Sequence, residues 1–154
     1  MSEKKYKLTE NTKVIKGITL YQIQSLKDFG NIQVNELGGW IEKESNLSQD
    51  GDAWVYGDAR VYGDARVYGD ACVSGNSCVS GDAICKKNNI ININTIYNIT
   101  ITQNHIQIGC EQKTIKEWKD WLKSDNVIQT ERNTDKFKKI KKALKACFLL
   151  IKAR

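Results

Sequence analysis

The most regular pattern of apolar and polar positions along this chain is a period of six between residues 51 and 86. Six consecutive hexads read GDAWVY, GDARVY, GDARVY, GDACVS, GNSCVS and GDAICK. The third residue of each hexad is Ala or Ser and the fifth is Val or Cys, so both face the same side of an extended segment. Each hexad therefore predicts a short strand with one apolar face.

Gly-Asp or Gly-Asn at the start of each hexad predicts a corner. Gly accommodates positive φ, and a short Asp or Asn side chain bonds nearby main chain. Strands that end every six residues can form a coil in which each side stacks on the side one full turn later. The same frame extends to residues 39–44 and 45–50, with Leu47 at the small inner position, and to Ile91 and Tyr97 at the Val position.

These hexads resemble the hexapeptide repeats of left-handed parallel β-helices. In that family three hexads complete one triangular turn, with a small and an aliphatic residue facing inward. The resemblance implies that Val55 stacks on Val73, Val61 on Val79 and Ala65 on Ala83. It also implies the left-handed winding, because parallel crossovers are otherwise right-handed.

The predicted fold class is mainly β, a left-handed parallel β-helix with an N-terminal β-hairpin cap and a C-terminal α-helical cap. The cap at the N-terminus follows from two β-rich runs within residues 6–29, on either side of Lys16-Gly17. The predicted regions are an N-terminal β cap at 1–38, the β-helix at 39–98, a β-hairpin at 99–110 and a basic helical region at 111–154.

The C-terminal part predicts a hairpin and two helices. A tip at Gln103-Asn104 pairs Ile101 with Ile106 and Ile99 with Ile108, which leaves Thr102 and His105 on the other face. Thr114 and Glu117 form a capping-box pattern at the start of the first helix. The second helix begins near Thr134. We expect the helices either to fold over the coil or to mediate association between chains.

Positive charge is concentrated in the C-terminal part. Residues 111–154 contain thirteen Lys and Arg against six Asp and Glu, a net +7, whereas residues 1–110 contain eleven against twelve. Such a basic stretch is either a solvated helix face or a non-specific contact for nucleic acid or an acidic protein surface. The predicted basic patch consists of Lys136, Lys138, Lys139, Lys141, Lys142 and Lys145.

The outward positions of the first three hexads carry aromatic and arginine side chains, which are the usual anchors of protein interfaces. They predict a binding surface, unless the caps cover part of it. The predicted surface consists of Trp54, Tyr56, Arg60, Tyr62, Arg66 and Tyr68.

An enzymatic function would depend on His105, the one histidine of the chain. Many hexapeptide-repeat proteins are acyltransferases in which a histidine acts as general base. The hairpin register places His105 near an exposed tip without an adjacent acid, so we expect a polar surface residue rather than a base. No cofactor or metal is expected from the corner aspartates (Asp52, Asp58, Asp64, Asp70 and Asp82). Consecutive ones lie on different sides of the coil, only Asp52/Asp70 and Asp64/Asp82 would stack, and each is expected to bond its own main chain.

The segments TLYQIQSLKDFG and LGGWIE before the repeats resemble hexapeptide-repeat proteins of bacteriophages and prophages. The resemblance implies a non-enzymatic interaction protein, with an anti-CRISPR-like inhibitor of host defence as one specialisation; a His105 acyltransferase and a structural scaffold are the alternatives. Expected partners are a second or third copy of the chain, or a host protein or ribonucleoprotein. Without a signal sequence or an apolar run of membrane length, we expect a cytoplasmic protein with reduced cysteines.

Overall fold

The computed structural model describes residues 3–86, 91–94, 98–109, 111–124, 132 and 134–153, with only the main chain of 91–94. It is mainly β with two helices, and it divides into two compact units, Met1–Gln112 and Lys113–Arg154. The strands are β1 (Tyr6–Ile15), β2 (Ile18–Ser25), β3 (Leu37–Ile41), β4 (Trp54–Val55), β5 (Arg60–Val61), β6 (Arg66–Val67), β7 (Cys72–Val73), β8 (Cys78–Val79), β9 (Ile84–Cys85), β10 (Ile91–Asn94), β11 (Asn98–Ile101), β12 (His105–Ile108) and β13 (Glu111–Thr114).

The hexads pair with one another in three parallel ladders. Strand β4 pairs with β7, β5 with β8 and β6 with β9, and each pair joins residues 18 apart, such as Trp54 and Cys72. Val55 lies on Val73 and Val61 on Val79, so two of the three predicted stacks are confirmed. Arg66 lies opposite Ile84, the 18-residue offset that the third stack, Ala65 on Ala83, also requires. Because pairing returns after three hexads, residues 51–86 wind as a three-sided arrangement, which we call the hexad coil.

The interior of the hexad coil consists of two kinds of side chain. The third positions hold small residues (Ala53, Ala59, Ala65, Ala71, Ser77 and Ala83), and the fifth positions hold larger apolar ones (Val55, Val61, Val67, Val73, Val79 and Cys85), all at most 1% exposed. Burial of one such valine stabilises the fold by about 1.5–3 kcal/mol. Corner glycines such as Gly63, at φ 69°, turn the chain where a side chain would be strained.

The N-terminal strands continue one side of the hexad coil. Strands β1 and β2 form the predicted hairpin, with Lys16 and Gly17 at positive φ in its turn. Strand β2 pairs with β3, and β3 pairs with β5 in parallel, so one five-stranded sheet runs β1-β2-β3-β5-β8.

The reading frame before the first hexad differs from the predicted one. Ile41 lies opposite Val61 and Leu47 opposite Val67, offsets of 20 rather than 18 residues. The assignment of Leu47 to the small inner position is therefore wrong. A leucine is too large for the slot that Ala65 fills, so it occupies the aliphatic slot instead, and the two additional residues are accommodated before Ala53.

The frame also ends earlier than the sequence indicated. Strand β10 pairs with β11 in an antiparallel register that sets Ile91 opposite Ile101, so Ile91 does not continue the Val position of the hexads. Tyr97 lies outside the described residues. Strands β11 and β12 form the predicted hairpin, with Ile99 opposite Ile108. The sheet order is β10-β11-β12-β13.

In the second unit, α1 (Ile115–Lys123) and α2 (Asp135–Lys152) begin where the sequence predicted. The Thr114 hydroxyl accepts a hydrogen bond from the Glu117 amide at 3.1 Å, and the Glu117 carboxylate accepts one from the Thr114 amide at 2.7 Å, which confirms the capping box. Arg132 donates to the main-chain oxygens of Trp121 and Ser124 at 2.6 Å, where α1 ends. Its guanidinium lies 4.4 Å from the Trp121 ring centroid.

Two buried side chains from segments that precede the hexads donate hydrogen bonds to main-chain oxygens at the first turn of the hexad coil. The Lys5 Nζ donates to Gly51 O at 3.1 Å and to Ala53 O at 2.9 Å. The Asn46 side-chain amide donates to Gly63 O at 3.1 Å and to Ala65 O at 2.9 Å. These bonds satisfy oxygens at the coil's first edge, where no preceding hexad pairs.

We predict that Val67→Asp unfolds the first unit, because the carboxylate would lie at a position 1% exposed among alanines and valines. The expected result is loss of the cooperative thermal transition and of native circular dichroism. Asn76→Asp is the control, since Asn76 is an exposed corner where other hexads have Asp; it should melt like the wild type. A V67D protein with wild-type spectrum and melting temperature would contradict the inward assignment.

We also predict that Lys5→Met lowers the free energy of unfolding by about 1–3 kcal/mol, because the buried Ala53 oxygen and the part-buried Gly51 oxygen lose their donor. Burial lowers the pKa of Lys5 to about 8 from an ordinary value of 10.5. Between these values the unfolded chain holds the Lys5 proton more tightly than the folded one, so wild-type stability gains with rising pH. Denaturant titrations should show the wild-type advantage over K5M increasing from pH 8 to 10; a constant or shrinking advantage would refute this account.

Candidate interaction surface

The side of the hexad coil built from β6 and β9 leaves arginine and aromatic side chains accessible. Val67 faces the interior, so its neighbours Arg66 and Tyr68 face outward by strand alternation. Arg66 is exposed and Tyr68 is half-buried. Ile84 lies opposite Arg66 in the ladder and is also half-buried. An arginine, a tyrosine and an isoleucine therefore share one accessible side.

Two adjoining grooves lie on this side. One has a volume of about 590 Å³ and the other about 500 Å³, and Ser45, Arg66 and Ile84 line both. We call this surface the Arg66 face. Its other lining residues are Glu44, Leu47, Ser48, Gln49, Val67 and Tyr68 in the larger groove and Lys43, Asp64, Asp82 and Asn104 in the smaller.

Most charges on the Arg66 face have a partner within it or beside it. The Lys43 Nζ lies 3.1 Å from an Asp64 carboxylate oxygen, and an Asp82 carboxylate oxygen lies 3.0 Å from the Nε2 of His105. Across the described part of the chain, Arg66 makes no ion pair. Its guanidinium is thus available to a carboxylate or phosphate from outside, and Tyr68 and Ile84 offer apolar contact beside it.

Trp54 does not belong to an accessible surface. It faces outward from the hexad coil, but it is 0% exposed, because Tyr6 and Phe29 pack edge-on against its ring with centroids 6.1 Å and 5.3 Å away. The N-terminal segment covers this position, which agrees with the alternative that the caps cover part of the predicted surface. Trp54 is therefore not part of an accessible binding surface.

The remaining outward residues are half-buried. Arg60 and Tyr62 line a groove of about 320 Å³ together with Asn98, Thr100 and Gln107. The Cys78 thiol donates to the Tyr62 hydroxyl at 3.3 Å, and burial, with this bond, raises the pKa of Tyr62 to about 12. Burial likewise raises the pKa of Tyr56. The residues of the predicted binding surface therefore lie on three different sides of the coil. Arg66 is the most exposed of them.

His105 is buried, contrary to the expected surface position, with a side chain 6% exposed. The expectation that no acid lies near it was also wrong. Asp82 comes from a corner of the sixth hexad, because the hairpin tip packs against that hexad: Gln103 N donates to Ile84 O at 3.2 Å, and Ile84 N donates to the Asn104 side chain at 3.0 Å. The register of the hairpin alone does not reveal this contact.

The geometry of His105 limits what it can do chemically. Its Nε2 faces Asp82, and its Nδ1 is buried without a hydrogen-bond partner in the described residues. A general base must reach the proton that it removes, directly or through a water molecule. An orienting carboxylate is present, but the opposite ring nitrogen has no surface that a substrate could approach.

Other corner aspartates also pair with basic side chains rather than only with their own main chain. Asp58 lies 3.4 Å from the Lys13 Nζ, and Asp64 pairs with Lys43 as described above. The described residues contain no group of three His, Cys, Asp or Glu side chains placed to hold a metal ion. Cys72, Cys78, Cys85 and Cys147 remain thiols, and Cys110 lies outside the described residues.

In the second unit, α2 separates apolar and basic positions. Phe137, Ile140, Leu144 and Cys147 are buried. The lysines of the predicted basic patch are all exposed: Lys136, Lys138, Lys139, Lys141, Lys142 and Lys145. Among helices of the described residues, none has the length and apolar character needed to cross a membrane.

Several residues of the Arg66 face were not found by sequence reasoning. Ser45, Gln49 and Asn104 lie in segments outside the clean hexads, and only folding brings them beside Arg66. No local pattern marks them. The two-residue frame shift that sets Leu47 opposite Val67 also brings this segment into place.

Comparison with known proteins shows similarity over part of the chain. No protein-family model matches the chain. The chain is similar to the uncharacterized acetyltransferase YdcK of Escherichia coli (strain K12), with 33% identity over a stretch that covers 34% of this chain and 19% of that protein. The chain thus matches about a fifth of the length of this curated relative, a coarse indication of hexapeptide-repeat character.

Proposed function

We propose that this protein is a non-enzymatic interaction protein whose Arg66 face binds a partner protein. The observation that carries the proposal is the exposed Arg66, which lies between two adjoining grooves and has no ion pair in the described residues. Arg and Tyr anchors in a cleft are typical of the residues that dominate binding energy at protein interfaces. The partner is expected to present a carboxylate to Arg66 and an apolar group to Tyr68 and Ile84.

The hexad coil is, in this proposal, a left-handed parallel β-helix. The parallel ladders with an 18-residue repeat support it, since three hexads per turn are what that fold requires. The left-handed winding follows from the hexapeptide-repeat resemblance. Each turn is hydrogen-bonded to the next on all three sides, as between Trp54 N and Ala71 O, Arg60 N and Ser77 O, and Arg66 N and Ala83 O. These bonds would hold the grooves of the Arg66 face in a fixed shape.

The biological setting in this proposal is that of a phage or prophage protein acting inside a bacterial host. Inhibition of a host defence system, by binding a protein or ribonucleoprotein, is the specialisation that the resemblance of LGGWIE and the preceding segment implies. Self-association as a dimer or trimer is a further proposal, in which a second copy would occupy the same face.

An acyltransferase using His105 is the second candidate. It is favoured by the Asp82 carboxylate at 3.0 Å from the imidazole and by the name of the E. coli relative. It is disfavoured by the burial of the Nδ1, which leaves no path for a substrate hydroxyl or amine. The observations therefore favour binding over catalysis.

We predict that Arg66→Glu with Tyr68→Ala weakens partner binding at least tenfold, because it reverses the available charge and removes the adjacent ring. The measurement is quantitative affinity capture from a bacterial host, followed by titration of the purified partner. Lys7→Glu is the matched control, because it makes the same charge reversal at an exposed residue of β1. Equal loss of binding in both variants would overturn the assignment to the Arg66 face.

The same samples distinguish the other candidates. Wild-type protein should not be stabilised against heat by acetyl-coenzyme A; stabilisation that His105→Gln abolishes would favour the acyltransferase.

Light scattering measures self-association. A dimer or trimer that is absent from the Arg66→Glu/Tyr68→Ala protein would show that the partner is another copy of the chain.

A further inference from the structure

We infer that α2 of the second unit binds the phosphate backbone of double-stranded nucleic acid without reading its sequence. The inference rests on the second unit alone and is independent of the Arg66 face. It names the row of lysine side chains that binds, the class of ligand, and the way in which the ligand is bound.

The lysines of α2 form a continuous cationic surface. Lys138, Lys142 and Lys145 follow one another at intervals of four and three residues, so they lie in a row on one side of the helix, with Lys141 adjacent. All four are exposed. With a rise of 1.5 Å per residue, the row from Lys138 to Lys145 is about 10 Å long, a length over which a duplex carries about six phosphate charges.

This surface is compensated within the helix at its first lysine alone. Asp135 is the one acidic residue of α2, and it lies 3.7 Å from the Lys138 Nζ. Lysines four apart, such as Lys138 and Lys142 or Lys141 and Lys145, repel each other and destabilise the helix. The packing of α2 does not need these charges, because its buried positions are apolar. A polyanion lying along the row would remove the repulsion.

The composition of the row favours a phosphate backbone over an acidic protein. Lysine binds phosphate as a point charge, whereas the binding energy of protein interfaces is concentrated in Trp, Tyr and Arg anchors. The exposed lysines of α2 have no such anchor among them. Without arginine, asparagine or glutamine in the row, there is no group suited to bidentate contact with base edges, so binding is expected to be independent of sequence.

The burial pattern distinguishes a duplex from a single strand and from a membrane. Single-strand binding uses aromatic rings on which bases stack, but Trp118, Trp121 and Phe137 are buried. Phe148 is half-buried, and the Lys119 Nζ lies 5.6 Å from its ring centroid. Binding in a membrane interface requires an apolar helix face that can enter the lipid. Here that face, including Ile140 and Leu144, is already buried, and the exposed apolar residues Leu149 and Leu150 lie beyond the lysine row.

The test is fluorescence anisotropy with the full chain and a labelled 20-base-pair DNA duplex of arbitrary sequence, at 50 and 200 mM salt. With about four phosphate contacts, affinity should fall about 100-fold between the two salt concentrations, and a second duplex of unrelated sequence should bind equally. The triple variant Lys138→Gln/Lys142→Gln/Lys145→Gln should bind at least tenfold more weakly at 50 mM salt, with a shallower salt dependence.

Two variants make the result specific. Lys4→Gln/Lys7→Gln/Lys16→Gln removes the same charge from exposed residues of the first unit and should bind within threefold of wild type. Lys138→Arg/Lys142→Arg/Lys145→Arg keeps the charge and should bind like wild type, which would show that the charge carries the binding. The circular dichroism and melting temperature of the glutamine variant should match those of wild type, which would exclude unfolding as the cause of its loss.

Three outcomes would overturn the inference. The first is an equal loss of duplex affinity in the α2 glutamine variant and the first-unit variant. The second is no binding of wild type to the duplex at 50 mM salt. The third is tighter binding of wild type to phosphatidylserine vesicles or to single-stranded DNA than to the duplex. The Arg66→Glu/Tyr68→Ala protein should keep its duplex affinity, so failure of the proposed partner binding and failure of this inference can be distinguished.

Discussion

Main-chain hydrogen bonds between turns hold the first unit together, and their geometry constrains everything around them. Main-chain donors and acceptors of each turn are paired with those of the next turn, as when Arg66 N donates to Ala83 O at 3.0 Å. The first and last turns would each have an edge of unpaired main-chain groups. At one end β3, the buried Lys5 and Asn46 supply the missing pairs. At the other, Gln103 and Asn104 bond both main-chain groups of Ile84. The segments flanking the hexads are therefore structural requirements of the ladder.

Capping the edges also determines which sides of the coil remain accessible. The N-terminal segment that supplies Lys5 also places Tyr6 and Phe29 over Trp54, which removes that residue from the surface. The hairpin whose tip caps Ile84 brings His105 against Asp82 and buries it. The Arg66 face is left open because its neighbouring segments approach it only at the edges, where they become the walls of grooves.

The fold was more predictable than the candidate site, for a physical reason. The hexad period, the alternation of Ala and Val, and the turn at Lys16-Gly17 are local, and local stereochemistry sets them. The burial of Trp54 and the pairing of His105 with Asp82 depend on segments far apart in sequence. An aromatic or imidazole side chain gives no local sign of whether another segment covers it.

Local sequence is sufficient to specify the period, the inward residues of the hexads, the corners, the helix cap at Thr114 and the lysine content of α2. In each case neighbouring residues alone satisfy the stereochemical or electrostatic requirement. Packing between distant segments sets the two-residue frame shift at Leu47, the end of the hexads before Ile91, and the greater exposure of Arg66 among similar outward residues. Those outcomes depend on which edges need pairing partners and on which segments supply them, and a six-residue repeat specifies neither.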